Sequence, residues 1–218
     1  MNVSEKTETG IVFELSENAD TVRQYPFCFQ LKIGFRLEGN SIHIQYLVQN
    51  KDTQKMYFGI GGHPGFNVPL EENRKFEDYY LEFAGNEYLE KIEMTEDCFV
   101  KGKTSMLPLE DGGRLRLRHE LFDEDAVIVK RTFQKLYMGC GKGKHVEVMC
   151  PDMRYLGIWH APKTDAPYVC LEPWTSLPSR KGVTEDIAFQ KDLIGLDAGK
   201  TYENKWEIKV GGGSDETD

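Results

Sequence analysis

Two runs of strict hydrophobic alternation, joined by a turn, constrain this chain more than any other feature in it. Phe27, Phe29, Leu31, Ile33, Phe35 and Leu37 recur at every second position, and Ile42, Ile44, Tyr46 and Val48 repeat the pattern. A period of two lines one face of a strand, whereas a helix would scatter those side chains around its axis. Glu38-Gly39-Asn40 between the runs is a turn sequence, so the stretch predicts an antiparallel hairpin, with His43 on the polar face of its second strand.

The remainder reads the same way. Ile11–Leu15, Tyr79–Phe83, Tyr88–Ile92, Arg114–Arg118, Val127–Val129, Val146–Cys150, Tyr155–Trp159, Tyr168–Leu171 and Tyr202–Val210 are short strand candidates separated by turns. One helical turn is expected after Asn18, and Pro26 must end it. Many short strands with almost no helical periodicity indicate an all-β fold, an antiparallel β-sandwich. We expect a single domain over residues 1–210, followed by a disordered polar tail over residues 211–218.

Composition narrows the function classes. A formal net charge of −9 argues against nucleic acid as the main partner, because phosphate binding needs clustered basic residues. The N-terminus has no apolar leader and no run approaches membrane-spanning length, so no membrane partner is expected. Five cysteines, an odd number without C-x-x-C spacing, read as reduced thiols and point to the cytoplasm. Gly139-Cys140-Gly141-Lys142-Gly143-Lys144 is glycine-rich and basic but lacks the spacing of a phosphate-binding loop. Cys140, His145 and Cys150 fit no usual zinc spacing, so no metal site is expected.

Two motifs carry titratable groups in stiff settings. In Gly61-Gly62-His63-Pro64-Gly65-Phe66 the proline biases His63 to extended backbone, and the glycines permit bending or close approach. In Tyr168-Val-Cys-Leu-Glu-Pro-Trp174 a carboxylate, Glu172, ends an apolar strand on the same face as Tyr168 and Cys170. One imidazole and one carboxylate suffice for paired acid–base chemistry. By themselves, both residues are also compatible with bland roles, a loop histidine bonded to backbone and a solvent-facing glutamate.

These motifs, with Tyr25-Pro26-Phe27, Leu37-Glu38-Gly39-Asn40, Leu121-Phe122-Asp123 and Tyr155-Leu156-Gly157-Ile158-Trp159 in order, resemble the aldose 1-epimerases, specifically their LacX-like bacterial branch. The resemblance spans roughly residues 11–210. It implies a galactose-mutarotase-like sandwich and interconversion of the α and β anomers of a hexose, without a metal or organic cofactor. Glu172 would be the catalytic base and His63 the acid. Asp125 would hold sugar hydroxyls, with Asp123 and Glu124 competing for that place. Trp159, Trp174 and Phe66 are candidates to line the sugar, although buried tryptophans are common in sandwiches. His160, just past Trp159, is a candidate for the mouth of the cleft, but an ordinary exposed histidine is the expectation. A non-catalytic carbohydrate-binding sandwich is the alternative reading.

The resemblance also implies an N-terminal portion of several strands, with a histidine and an arginine for the site. Residues 1–24 here hold Arg23 and no histidine. Half of the polar cleft is therefore expected to be missing, and uncovered strands could pair with another copy.

Overall fold

The computed structural model describes residues 1–212; residues 213–218 of the expected tail lie outside the described residues. The described chain is nearly all β, with antiparallel sheets as the alternation predicts. It divides into two compact units, Met1–Phe58 with Asp186–Lys209, and Gly59–Glu185 with the residues after Lys209.

The first unit holds β1 (Asn2–Lys6), β2 (Gly10–Ser16), α1 (Ala19–Gln24), β3 (Phe29–Glu38), β4 (Ser41–Asn50) and β5 (Met56–Phe58). Asn18 caps α1 by accepting from the backbone N–H groups of Asp20 and Thr21, satisfying donors that a helix start leaves bare. β3 and β4 form the predicted hairpin, paired from Phe29–Asn50 to Glu38–Ser41, with Gly39 at φ +56° in the turn. Ile44, Tyr46 and Val48 are buried, as the period of two requires.

Asn50 ties β4 to the segments at Gln54 and Leu196. It is fully buried, and its Nδ2 donates to the carbonyls of Gln54 and Leu196 at 2.8 Å each. Asn50→Ala strands both carbonyls. We expect a loss of about 2–4 kcal/mol in chemical denaturation, since each buried unsatisfied group costs ~1–3 kcal/mol.

The second unit runs through β6 (Gly65–Asn67), β7 (Tyr80–Glu82), β8 (Tyr88–Met94), β9 (Val100–Pro108), β10 (Arg114–Arg116), β11 (Val127–Lys130), β12 (Lys135–Gly139), β13 (His145–Met149), β14 (Tyr155–Trp159) and β15 (Tyr168–Trp174). Six of these form one sheet, in the order β6-β15-β14-β11-β8-β9; the other four follow the order β13-β12-β7-β10. Val129, Leu156, Ile158, Val169 and Leu171 are fully buried on one face of the six-stranded sheet. Leu81, Met138 and Val148 are equally buried on the four-stranded one. These are the inner faces of a sandwich. The opposite face of the six-stranded sheet carries a separate apolar cluster of Ile92, Val100, Ile128 and Tyr155, against which Trp174 packs.

The chain then returns to the first unit through β16 (Ile194–Leu196), which pairs with β5, and β17 (Thr201–Gly211), which pairs with β4. β17 runs one residue into the stretch expected as tail, ending at Gly211.

Candidate active site

The register of β15 decides which side chains meet. Glu172 lies opposite Gly157, Cys170 opposite Trp159 on β14 and opposite Gly65 on β6, and Trp174 opposite Tyr155. Alternation therefore turns Cys170, Glu172 and Trp174 away from the sandwich interior, while Val169 and Leu171 point into it. A carboxylate one residue earlier or later would sit in the apolar core. Glu172 is not at the end of its strand: β15 continues to Trp174.

What lies against β15 beyond Cys170 is the histidine loop. β6 pairs only with Tyr168–Cys170, which leaves the following residues of β15 without a strand on that side. Ile60–Pro64 takes over. Leu171 N–H donates to the Pro64 carbonyl (3.1 Å), Gly62 N–H to the Pro173 carbonyl (3.0 Å) and Thr175 N–H to the Ile60 carbonyl (3.0 Å). The Ile60 N–H in turn donates to Thr175 Oγ1 at 2.9 Å. Pro173 is tolerated in the strand because no neighbouring strand asks for its missing N–H.

The loop's glycines serve approach rather than bending. None of Gly59, Gly61, Gly62 and Gly65 has positive φ. A Cβ on Gly61 would stand 2.6 Å from both the Pro173 carbonyl oxygen and Cδ1 of Trp174. On β14, a Cβ at Gly157 would meet the Trp174 ring at 3.0 Å and Cβ of Glu172 at 3.4 Å. Sequence reasoning passed over Gly157 and Thr175. Their signal was their place, one inside and one just after the aromatic strand motifs.

The stitched loop delivers His63 to Glu172. Nε2 of His63 is 3.3 Å from Oε1 of Glu172, with the imidazole side chain 62% exposed and the carboxylate side chain 4% exposed. At that distance a protonated imidazole would attract the carboxylate, but the alignment is not that of a hydrogen bond, and buried Oε1 has no hydrogen-bond partner. Burial pushes the Glu172 pKa above the ordinary carboxylate value; His63 pulls it back, and the Asp125 charge raises it further. Cys170, buried behind the pair, has its thiol pushed up to about 11 by desolvation and then by the Glu172 charge.

Asp125 joins the same electrostatic group and is held from two sides. The Trp159 indole N–H donates to Oδ1 at 2.8 Å, and the Cys98 thiol donates to Oδ2 at 3.0 Å. Its backbone has φ +88°, a strained setting for a residue with a side chain. Each carboxylate oxygen still has a lone pair to offer. Cys98, whose thiol is raised by that carboxylate, was not foreseen; an exposed thiol in a turn carries no sequence signal for such a contact.

Trp159 also meets His63 edge-on, ring centroids 6.0 Å apart. Trp174 is divided between the apolar cluster and the glycines of the loop and β14. Phe66 is not brought together with the others. It pairs with Val169, which puts it on the face opposite Glu172. His160, expected to be exposed, is fully buried: Nε2 donates to the Ala166 carbonyl at 2.8 Å and lies 3.1 Å from Nδ1 of His119, while Tyr168 stacks on the ring. β14 ends at Trp159, and the ring of the next residue packs among Phe76, Phe122 and Tyr168.

A partly exposed imidazole beside a buried carboxylate, with a second carboxylate in range, can move protons between neighbouring oxygens of one ligand. The sequence profile of the aldose 1-epimerase family matches residues 2–179. The chromosomal LacX protein of Lactococcus lactis subsp. lactis is 30% identical over 205 residues, 91% of this chain and 68% of that protein. A galactose mutarotase related enzyme from Lactobacillus acidophilus superposes with a TM-score of 0.90 at 29% identity, over 100% of this chain and 73% of that one. A galactose mutarotase-like protein from Lactobacillus casei ATCC 334 gives 0.88 at 27% identity, over 96% and 72% of the two chains. The family profile and the LacX relative make this chain a member of the aldose 1-epimerase family.

Proposed function

We propose that the protein interconverts the α and β anomers of a free hexose, with Glu172 as general base and His63 as general acid. In the forward half, Glu172 takes the proton of the anomeric hydroxyl while His63 gives one to the ring oxygen. The C1–ring-oxygen bond breaks and the aldehyde forms. Rotation about C1–C2 presents the other carbonyl face, and ring closure returns both protons. The two oxygens share C1, so their catalysts must stand close together. The separation of 3.3 Å between Nε2 and Oε1 is the observation that carries this reading.

Asp125 is the hydroxyl acceptor in this scheme, oriented by Trp159 and Cys98. Asp125→Asn should weaken hexose binding ~10–100-fold, the value of a hydrogen bond to a charged acceptor, with a smaller effect on kcat. Steady-state kinetics separate the two. We also read the protein as cytoplasmic, which its five free cysteines support. Among the described residues no helix is long and apolar enough to cross a membrane.

Polarimetry on freshly dissolved α-hexoses tests the proposal. A decay faster than buffer, first order in protein, is expected. Hexose binding without faster decay would overturn the catalytic reading and favour a carbohydrate-binding module.

A further inference from the structure

We infer that His63, Cys170 and Glu172 also form a binding site for a borderline divalent transition ion, zinc foremost, whose occupancy excludes the sugar. They are the one group of three such ligands found among the described residues, with their donor atoms all within 4.8 Å of one another. Zinc bonds of ~2.0–2.3 Å set tetrahedral ligand atoms ~3.3–3.8 Å apart. The His63–Glu172 separation of 3.3 Å already meets that spacing. The sulfur lies within 4.8 Å of the other two donors, so it has at most about an ångström to close.

A second, independent observation points to a ligand here. Oε1 of Glu172 is buried, faces this group and has no hydrogen-bond partner. Such an atom is expensive to leave bare, and a cation would satisfy it. The donor set selects the ion. One imidazole, one thiol and one carboxylate suit zinc or its neighbours, whereas magnesium and calcium prefer oxygen ligands alone. Coordination replaces the Cys170 S–H bond with a metal–sulfur bond and releases one proton. The exposed side of His63 leaves the fourth position to water.

This metal would occupy the Nε2 and Oε1 atoms that the proposed reaction uses. The exclusion of sugar rests on that functional reading; the binding itself does not. Cobalt(II) titrated into the intact protein should give a thiolate-to-cobalt charge-transfer band and intense tetrahedral visible bands, both lost on adding zinc. Cys170→Ser should abolish the charge-transfer band. His63→Ala, at an exposed position that does not threaten folding, should weaken zinc binding in equilibrium dialysis by more than the ~10–100-fold that even outer-shell partners are worth. A cobalt complex without the sulfur band, or zinc affinity unchanged in His63→Ala, would overturn the site. In the same protein, saturating hexose should raise the apparent zinc dissociation constant at least ~10-fold by competition for the same two atoms. An unchanged constant with hexose bound would overturn the exclusion. The cobalt spectrum decides the metal site whether or not the protein exchanges anomers, so the two readings fail separately.

Discussion

Glu172→Gln should reduce catalysed anomer exchange by ~10²–10⁴-fold, the contribution expected of a positioned proton-transfer group. It should also leave the protein more stable. Glu172 is 3% exposed, with its Oε1 lacking a hydrogen-bond partner. Replacing it with a neutral amide of the same shape removes the cost of holding a charge out of water. The sign of the pH dependence follows from the raised pKa of Glu172 in the folded protein. Below the unfolded carboxylate value of ~4.3 the group is protonated in both states, and wild type and variant differ little through this term. As pH rises above that value the unfolded chain loses its proton first, so wild type loses stability until the folded pKa is passed. The variant's advantage should therefore open with increasing pH. Denaturant unfolding across pH, paired with polarimetry, reads both effects. A variant that is less stable at every pH would mean that Glu172 is held by contacts stronger than those described.

Gly61→Val should be the most damaging change outside the titratable groups. Its Cβ would stand 2.6 Å from a backbone oxygen, that of Pro173, which cannot move aside as a flexible side chain could. The loop must withdraw, and with it the Gly62–Pro173 and Ile60–Thr175 hydrogen bonds that hold His63 against β15. An overpacked site of this kind typically costs ~1–3 kcal/mol. The larger effect is kinetic, because a misplacement of about 1 Å can cost ~10²-fold in rate. We expect kcat to fall by about that factor with folding retained, as judged by near-ultraviolet circular dichroism. Unchanged kcat would show that the loop's contact with β15 does not set the position of His63.

The parts of this molecule that were legible in its sequence are those governed by local period. The β3–β4 hairpin follows from alternation and a turn, and its register matches that expectation along its whole length. The motifs around His63 and Glu172 announced stiff, titratable residues, and resemblance supplied their partnership. Period alone did not reveal β9: beyond Val100 its residues through Ser105 are exposed, and it is an edge strand whose one strand partner is β8. Likewise, nothing local distinguishes the Cys98–Asp125 contact or the close approach of Gly61 to Trp174, which depend on register between distant segments. His160 shows the same limit. A histidine after a tryptophan looks like a surface residue until rings distant in sequence, Phe76 and Phe122, close over it.

The central claim is that His63 and Glu172 act on the two oxygens of one anomeric carbon. A crystal structure of the Glu172→Gln variant with bound hexose tests it most directly. The account predicts the sugar's anomeric hydroxyl at the side chain of residue 172, its ring oxygen within hydrogen-bond distance of His63 Nε2, and a hydroxyl on Asp125. A hexose whose C1 faces solvent, or one seated away from these three residues, would contradict it.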